Sequence, residues 1–156
     1  MDVHPLDFAM AMELEGKEFY LKQAQNVAGS QLEHLFRALA DDEEKHYKFV
    51  KQMKESGLYD LEETTILTMA DSIFAQPLAK GTKIPESYLE IYDMAIEFEE
   101  KAIELYRDLA AKAQKSKEKE VFMKLAKEEE THKTILSKLQ ELLRRPEEWY
   151  PYLDLG

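Results

Sequence analysis

Two stretches of this chain repeat one another at a fixed distance. LADDEEKHYKFV runs from Leu39 to Val50, and LAKEEETHKTIL runs from Leu125 to Leu136, 86 residues further on. Leu39, Ala40, Glu43, Glu44 and His46 recur as Leu125, Ala126, Glu129, Glu130 and His132. The same offset, with no gap, carries MELEGKEFY at Met12 onto FEEKAIELY at Phe98. It places Glu13 on Glu99, Glu18 on Glu104 and Tyr20 on Tyr106. One offset linking two pairs of segments restricts the chain to a duplicated helical hairpin.

Helix boundaries follow from the punctuation around these copies. Pro5 suits a first helical turn and Gly29 a stop, which predicts a first helix from Pro5 to about Ala28. Ser30-Gln31-Leu32-Glu33 reads as a capping box that opens a second helix, running to about Glu55 and stopping at Gly57. A third is predicted from Pro85 or Ser87 to about Ala113, and a fourth from after Ser116 to before Pro146. The segment between helices two and three, about 58–84, is too long for an ordinary bundle connection of about 2–8 residues. Its TTILTMADSIF stretch can form a short helix, whereas AKGTKIP reads as loop. A link of that length can travel back along the bundle, so that helix three starts at the end where helix two started. One long crossover is the ferritin-like arrangement. The expected fold is all-α, a ferritin-like four-helix bundle of two repeated hairpins over residues 1–145. An aromatic tail over 146–156, with Trp149, Tyr150 and Tyr152, is expected to pack on the bundle or on a second subunit.

Helical phase decides where the repeated acids point. On helix two, Leu32, Phe36, Leu39, Glu43, His46, Val50 and Met53 step by four and three and trace one stripe. Helix four repeats it with Glu118, Phe122, Leu125, Glu129, His132, Leu136 and Leu139. Helix three places Glu99 among Tyr92, Ala95, Ala102 and Tyr106, and helix one places Glu13 among Ala9, Gly16 and Tyr20, with Gln23 a polar break. Each stripe therefore carries a carboxylate where a core is expected. Glu13 and Glu43 lie equally far from residue 28, and Glu99 and Glu129 from residue 114, so each pair meets at one height if the hairpins close there. Glu-x-x-His spans one helical turn, which lets both side chains reach one centre.

An ionised carboxylate buried without a partner costs several kcal/mol, or it takes up a proton. No Lys or Arg falls on these stripes to compensate four of them. Two divalent cations would balance the charge, and two neutral imidazoles would complete the shell without altering it. The other acids, Glu15, Glu18, Glu44, Glu97, Glu104, Glu128 and Glu130, fall off the stripes and are expected in solvent or at the rim, as are His4 and His34.

Composition narrows the chemistry further. With no cysteine among 156 residues, disulfides, zinc-thiolate sites, iron–sulfur clusters and cysteine nucleophiles are excluded. The net charge of −11 repels nucleic acid and anionic membranes, so neither is an expected partner. No stretch approaches the ~20 apolar residues of a membrane span. The start, MDVHPLDFAM, has neither the basic nor the apolar region of a signal peptide, so a cytoplasmic location is expected.

At these residues the chain resembles the ferritin-like diiron-carboxylate superfamily and, within it, the rubrerythrin-like branch without a rubredoxin domain. The shared pattern is one Glu from each of two helices and Glu-x-x-His from each of the other two. Glu-x6-Tyr at Glu13/Tyr20 and Glu99/Tyr106 adds to it. The resemblance covers the four helices. It implies that Glu43 and Glu129 bridge two metals, that Glu13 and His46 complete one site, and that Glu99 and His132 complete the other. Tyr20 and Tyr106 would donate hydrogen bonds to ligating carboxylates. Such oxygen-rich ligation implies iron, with manganese as an alternative. The implied function is an oxidoreductase, tied to oxidative stress, that reduces peroxide or dioxygen with an external electron-donor protein or small reductant. A homodimer is implied as well. The chain departs from the peroxidases of the branch at Ala102, where they usually carry a further Glu. An iron-binding protein with ferroxidase chemistry or metal buffering, a dimanganese catalase and a metal-free helical adaptor are the alternatives.

Overall fold

The computed structural model describes residues 4–57, 60–145 and 149. The described residues form five helices: α1 (Pro5–Asn26), α2 (Gln31–Ser56), α3 (Ile66–Phe74), α4 (Tyr88–Lys112) and α5 (Ser116–Arg144). The fold is all-α, a ferritin-like helical bundle. α1 packs against α2 and α4 against α5, as two hairpins, while α1 also touches α4.

The helix ends follow local chemistry. His4 caps α1 by accepting a hydrogen bond from Leu6 N–H at its Nδ1. Ser30 caps α2, but the expected box is shifted. Its hydroxyl accepts from Leu32 N–H, and Glu33 reaches back one residue further, to Gly29 N–H. Gly57 closes α2 in the left-handed region at φ 66°, where a side chain would be strained.

The crossover runs back along the bundle. Thr64 passes mid-height beside Asp42, and α3 follows, burying Ile66, Ala70 and Ile73 at helical spacing against α2 and α5. Gln31, the first residue of α2, then holds the descending chain: its amide donates to Pro77 O and accepts from Ala79 N–H. α4 consequently starts at the end where α2 starts. Tyr88 there donates to Leu143 O near the end of α5. The tail expected over 146–156 lies outside the described residues except for Trp149. That indole is buried edge-on to Phe74 and donates to Gln76 O.

Among the described residues, the apolar core falls into two clusters. One gathers Tyr20, Leu32, Phe36, Leu39, Tyr92, Leu136 and Leu139. The other gathers Met12, Phe49, Val50, Ala102, Tyr106, Phe122 and Leu125. Each buried Leu or Phe contributes about 1.5–3 kcal/mol, enough to hold a polar centre that is itself costly to bury.

Candidate metal centre

Each long helix contributes to one buried group of acids and imidazoles. Glu13 comes from α1, Glu43 and His46 from α2, Glu99 from α4, and Glu129 and His132 from α5. All are at most 1% exposed. Glu13, Glu43, His46 and Glu129 each offer one donor atom within 4.8 Å of the others, and Glu43, Glu99, Glu129 and His132 do the same. Glu43 and Glu129 belong to both sets.

The arrangement carries the symmetry of the repeat. The two imidazoles stack with centroids 5.8 Å apart. His46 Nδ1 lies 3.1 Å from Glu13 and 2.8 Å from Glu129. His132 Nδ1 lies 2.9 Å from Glu43 and 3.5 Å from Glu99. The outer hydrogen bonds are exchanged between halves. Tyr20 on α1 donates to Glu99 on α4, and Tyr106 on α4 donates to Glu13 on α1 at 3.0 Å. His46 Nε2 is bonded to Glu128 at 2.8 Å, and His132 Nε2 to Asp42 at 2.9 Å.

Asp42 and Glu128 were not among the six expected ligands. Glu128, expected in solvent, is only 8% exposed, and Asp42 is 6% exposed. One residue off the stripe, each points at the flank of its helix. The facing helix brings an imidazole to that flank, and the crossover covers it. The repeat itself carried the signal, because Asp42 and Glu128 occupy matching positions, each just before the Glu of a Glu-x-x-His. The other acids lie as expected. Glu15, Glu18, Glu97 and Glu104 are exposed, and so are His4 and His34. Glu44 pairs with Lys17, and Glu130 with Arg107, at the surface.

Gly16 allows the close approach at the centre. A Cβ there would stand 2.6 Å from Glu43 Oε2 and 3.0 Å from the Phe98 ring. In the repeat Gly16 corresponds to Ala102, which is wholly buried and offers no carboxylate.

Electrostatics show how costly the cluster is. Burial, and then the charges of Glu13 and Glu99, push Glu43 up to about 8. Burial, and then the charges of Glu13, Glu43 and Glu99, push Glu129 well above the usual carboxylate range. Burial acts to raise Glu99, but the charge of the neighbouring His132, with the hydrogen bond from Tyr20 beside it, holds Glu99 low. Burial opposes protonation of His46 and His132, yet the carboxylates around them hold both well above the ordinary imidazole value. The cluster thus retains protons to offset its own repulsion.

Protons leave much of the donor capacity unused. Both oxygens of Glu43, both of Glu129, Glu99 Oε2 and His132 Nδ1 are buried without a hydrogen-bond partner. Such groups are rare in native proteins. Among the described residues, no Lys or Arg pairs with any of the four carboxylates. A divalent cation offsets two charges and takes up those lone pairs. Carboxylates with one imidazole per set suit iron or manganese, so the residues present fit the metal.

Among the described residues, no helix is long and apolar enough to cross a membrane. Comparison with curated proteins and with solved structures returns no match. A family model described as Rubrerythrin matches residues 5–140. That span starts at the first residue of α1, ends in the last turns of α5 and contains the whole buried cluster. With both hairpins and the buried acid–imidazole cluster inside the matched span, the chain is a member of the rubrerythrin family.

Proposed function

We propose that the centre holds two iron ions and that the protein reduces peroxide or dioxygen with electrons from an external donor. The observation that carries this reading is the sharing of Glu43 and Glu129 between both four-donor sets. In this reading Glu43 and Glu129 would contribute to both sites, Glu13 and His46 would complete one, and Glu99 and His132 would complete the other. Bound as a ferrous pair, the metals supply two electrons, the number that takes one peroxide to water.

The chain's own residues set the conditions for that chemistry. Asp42 and Glu128 engage Nε2 of the two imidazoles and so turn the Nδ1 lone pairs inward. Tyr20 holds one oxygen of Glu99 and leaves the other without a partner, and Tyr106 holds one oxygen of Glu13, whose other oxygen faces His46 Nδ1. The two apolar clusters keep bulk water from the centre.

One observation favours a second reading. Ala102 supplies only a methyl group where peroxidases of the branch carry a further Glu, which suits iron uptake with ferroxidase chemistry and no substrate turnover. Elemental analysis of anaerobically purified protein, followed by peroxide consumption with and without a reductant, separates these possibilities. About two iron ions per chain and reductant-dependent consumption are expected, both lost in Glu43→Ala/Glu129→Ala. Iron without turnover would favour the second reading. Two manganese ions with consumption that needs no reductant would favour a dimanganese catalase. Protein that binds no metal when offered Fe(II) anaerobically would end all three readings.

A further inference from the structure

Thr64 lies in the crossover between the two copies of the repeat, yet it touches the outer layer of both. Its hydroxyl donates to Asp42 Oδ2, and its backbone N–H donates to Glu128 Oε2 at 3.3 Å. Asp42 is bonded to His132, and Glu128 to His46. Two chains of hydrogen bonds, one to each imidazole, therefore converge on a single residue.

The geometry leaves Thr64 little freedom. Its oxygen accepts from Ile66 N–H at 3.1 Å, so its one hydroxyl hydrogen is available for Asp42. Ile66 and Ala70, buried at 3% and 0%, anchor the following helix to the bundle. The duplicated half-sites are thus tied together by a residue that the duplication did not supply.

We propose that Thr64 is a positioning residue for the metal centre, a clamp through which the crossover sets the orientation of both histidines. The proposal rests on the dimetal reading given above. Its two arms are chemically different. The hydroxyl arm, through Asp42 to His132, can be removed by substitution. The amide arm, through Glu128 to His46, belongs to the backbone and remains.

Thr64→Val keeps the shape and the amide arm and removes the hydroxyl arm, together with the bond that Ile66 N–H makes to the same oxygen. The two half-sites, alike by repeat symmetry, then become unequal, and the one containing His132 weakens. Loss of a direct outer partner costs about 10–100-fold in metal affinity. Thr64 acts one bond further out, so a loss near the lower end, about tenfold, is expected at one site.

The test is an anaerobic titration of the full chain with Co(II), followed by calorimetry and by the visible absorption of the bound ion. Expected are two ions in the wild type, and in Thr64→Val one equivalent near wild-type affinity and one about tenfold weaker with a shifted absorption band. Thr64→Ser restores the hydroxyl and should restore both. The Thr64→Ser and Thr64→Ala pair repeats the comparison without the added bulk of Val if that variant does not fold. Equal isotherms and spectra for wild type and Thr64→Val, with two ions bound in each, overturn the clamp alone. Equal weakening of both sites that Thr64→Ser fails to rescue also overturns it, because a general loosening of the crossover explains that result. A wild type that binds no Co(II) overturns the metal reading and the clamp together.

Discussion

The hydroxyl of Tyr20 donates to Oε1 of Glu99, a residue 79 positions away in the other half of the duplication. The bond is wholly buried, and with its counterpart from Tyr106 to Glu13 it stitches the two hairpins across their shared centre. Burial, and then the charge of Glu99, keep the Tyr20 phenol protonated far beyond its ordinary range, so it acts as a donor throughout. Hydrogen bonds to charged groups contribute about 1.5–3 kcal/mol. Tyr20→Phe should therefore lower the unfolding free energy of the metal-free protein by about 2 kcal/mol. Urea denaturation measures this, and an unchanged midpoint and slope would show that the bond contributes nothing.

Metal-free stability should fall as pH rises. Glu43 is pushed up to about 8 in the fold, so its neutral form favours folding, and that contribution disappears as pH climbs from the ordinary carboxylate range through about 8. His46 and His132 are also raised, so their contribution is present below the ordinary imidazole value and lost at higher pH. Glu99 and Asp42 are lowered, and theirs vanishes only in acid. Between pH 5 and pH 8.5 the raised groups dominate. Calorimetry in chelator should record a falling Tm across this window, and saturation with Fe(II) under anaerobic conditions should flatten it. A Tm that rises with pH in chelator contradicts the proton-filled centre.

Metal uptake should release protons, because Glu43 and Glu129 must ionise to ligate. Apparent affinity for Co(II) is expected to increase from pH 6.5 to pH 8.5. Titration in two buffers of different ionisation enthalpy counts the protons released. No buffer dependence would mean that the ions bind elsewhere.

Gly16→Ala tests the close approach. Alanine ordinarily stabilises a helix interior by about 0.5–1 kcal/mol relative to glycine. Here the added methyl meets the carboxylate end of Glu43 and the edge of the Phe98 ring, side-chain atoms rather than backbone, so it is Glu43 that must shift. The metal-free variant should fold with stability within about 1 kcal/mol of wild type. Co(II) affinity should fall about tenfold, a displaced ligand costing at least as much as a lost outer partner. Wild-type affinity in this variant would show that Glu43 need not occupy its observed position.

Glu43→Gln should separate charge from ligation. At pH 9 the neutral amide avoids an ionised buried carboxylate and should stabilise the metal-free protein. At pH 6 that gain should be smaller by about 2–3 kcal/mol, because the folded carboxyl is then neutral and only the unfolded one is ionised. Denaturation at both pH values checks this, and a destabilised variant at pH 9 would mean that the carboxylate charge is already well compensated.

The chain's own order carried the helices, their duplication and the inward direction of Glu13, Glu43, His46, Glu99, Glu129 and His132, all now found buried. These are consequences of helical period, a local property that spacing alone expresses. Gly29, Ser30 and Gly57 marked helix ends for equally local reasons. Glu128 was placed wrongly in solvent; Asp42, its match in the repeat, fell off the apolar stripe, and Thr64 stood in no repeated pattern. Their roles depend on what faces them: an imidazole from the opposite hairpin, and a crossover that passes at that height. Periodicity says which side of its own helix a residue occupies. Only the packing of one helix on another, and the path of the chain between them, decides which partner meets it there.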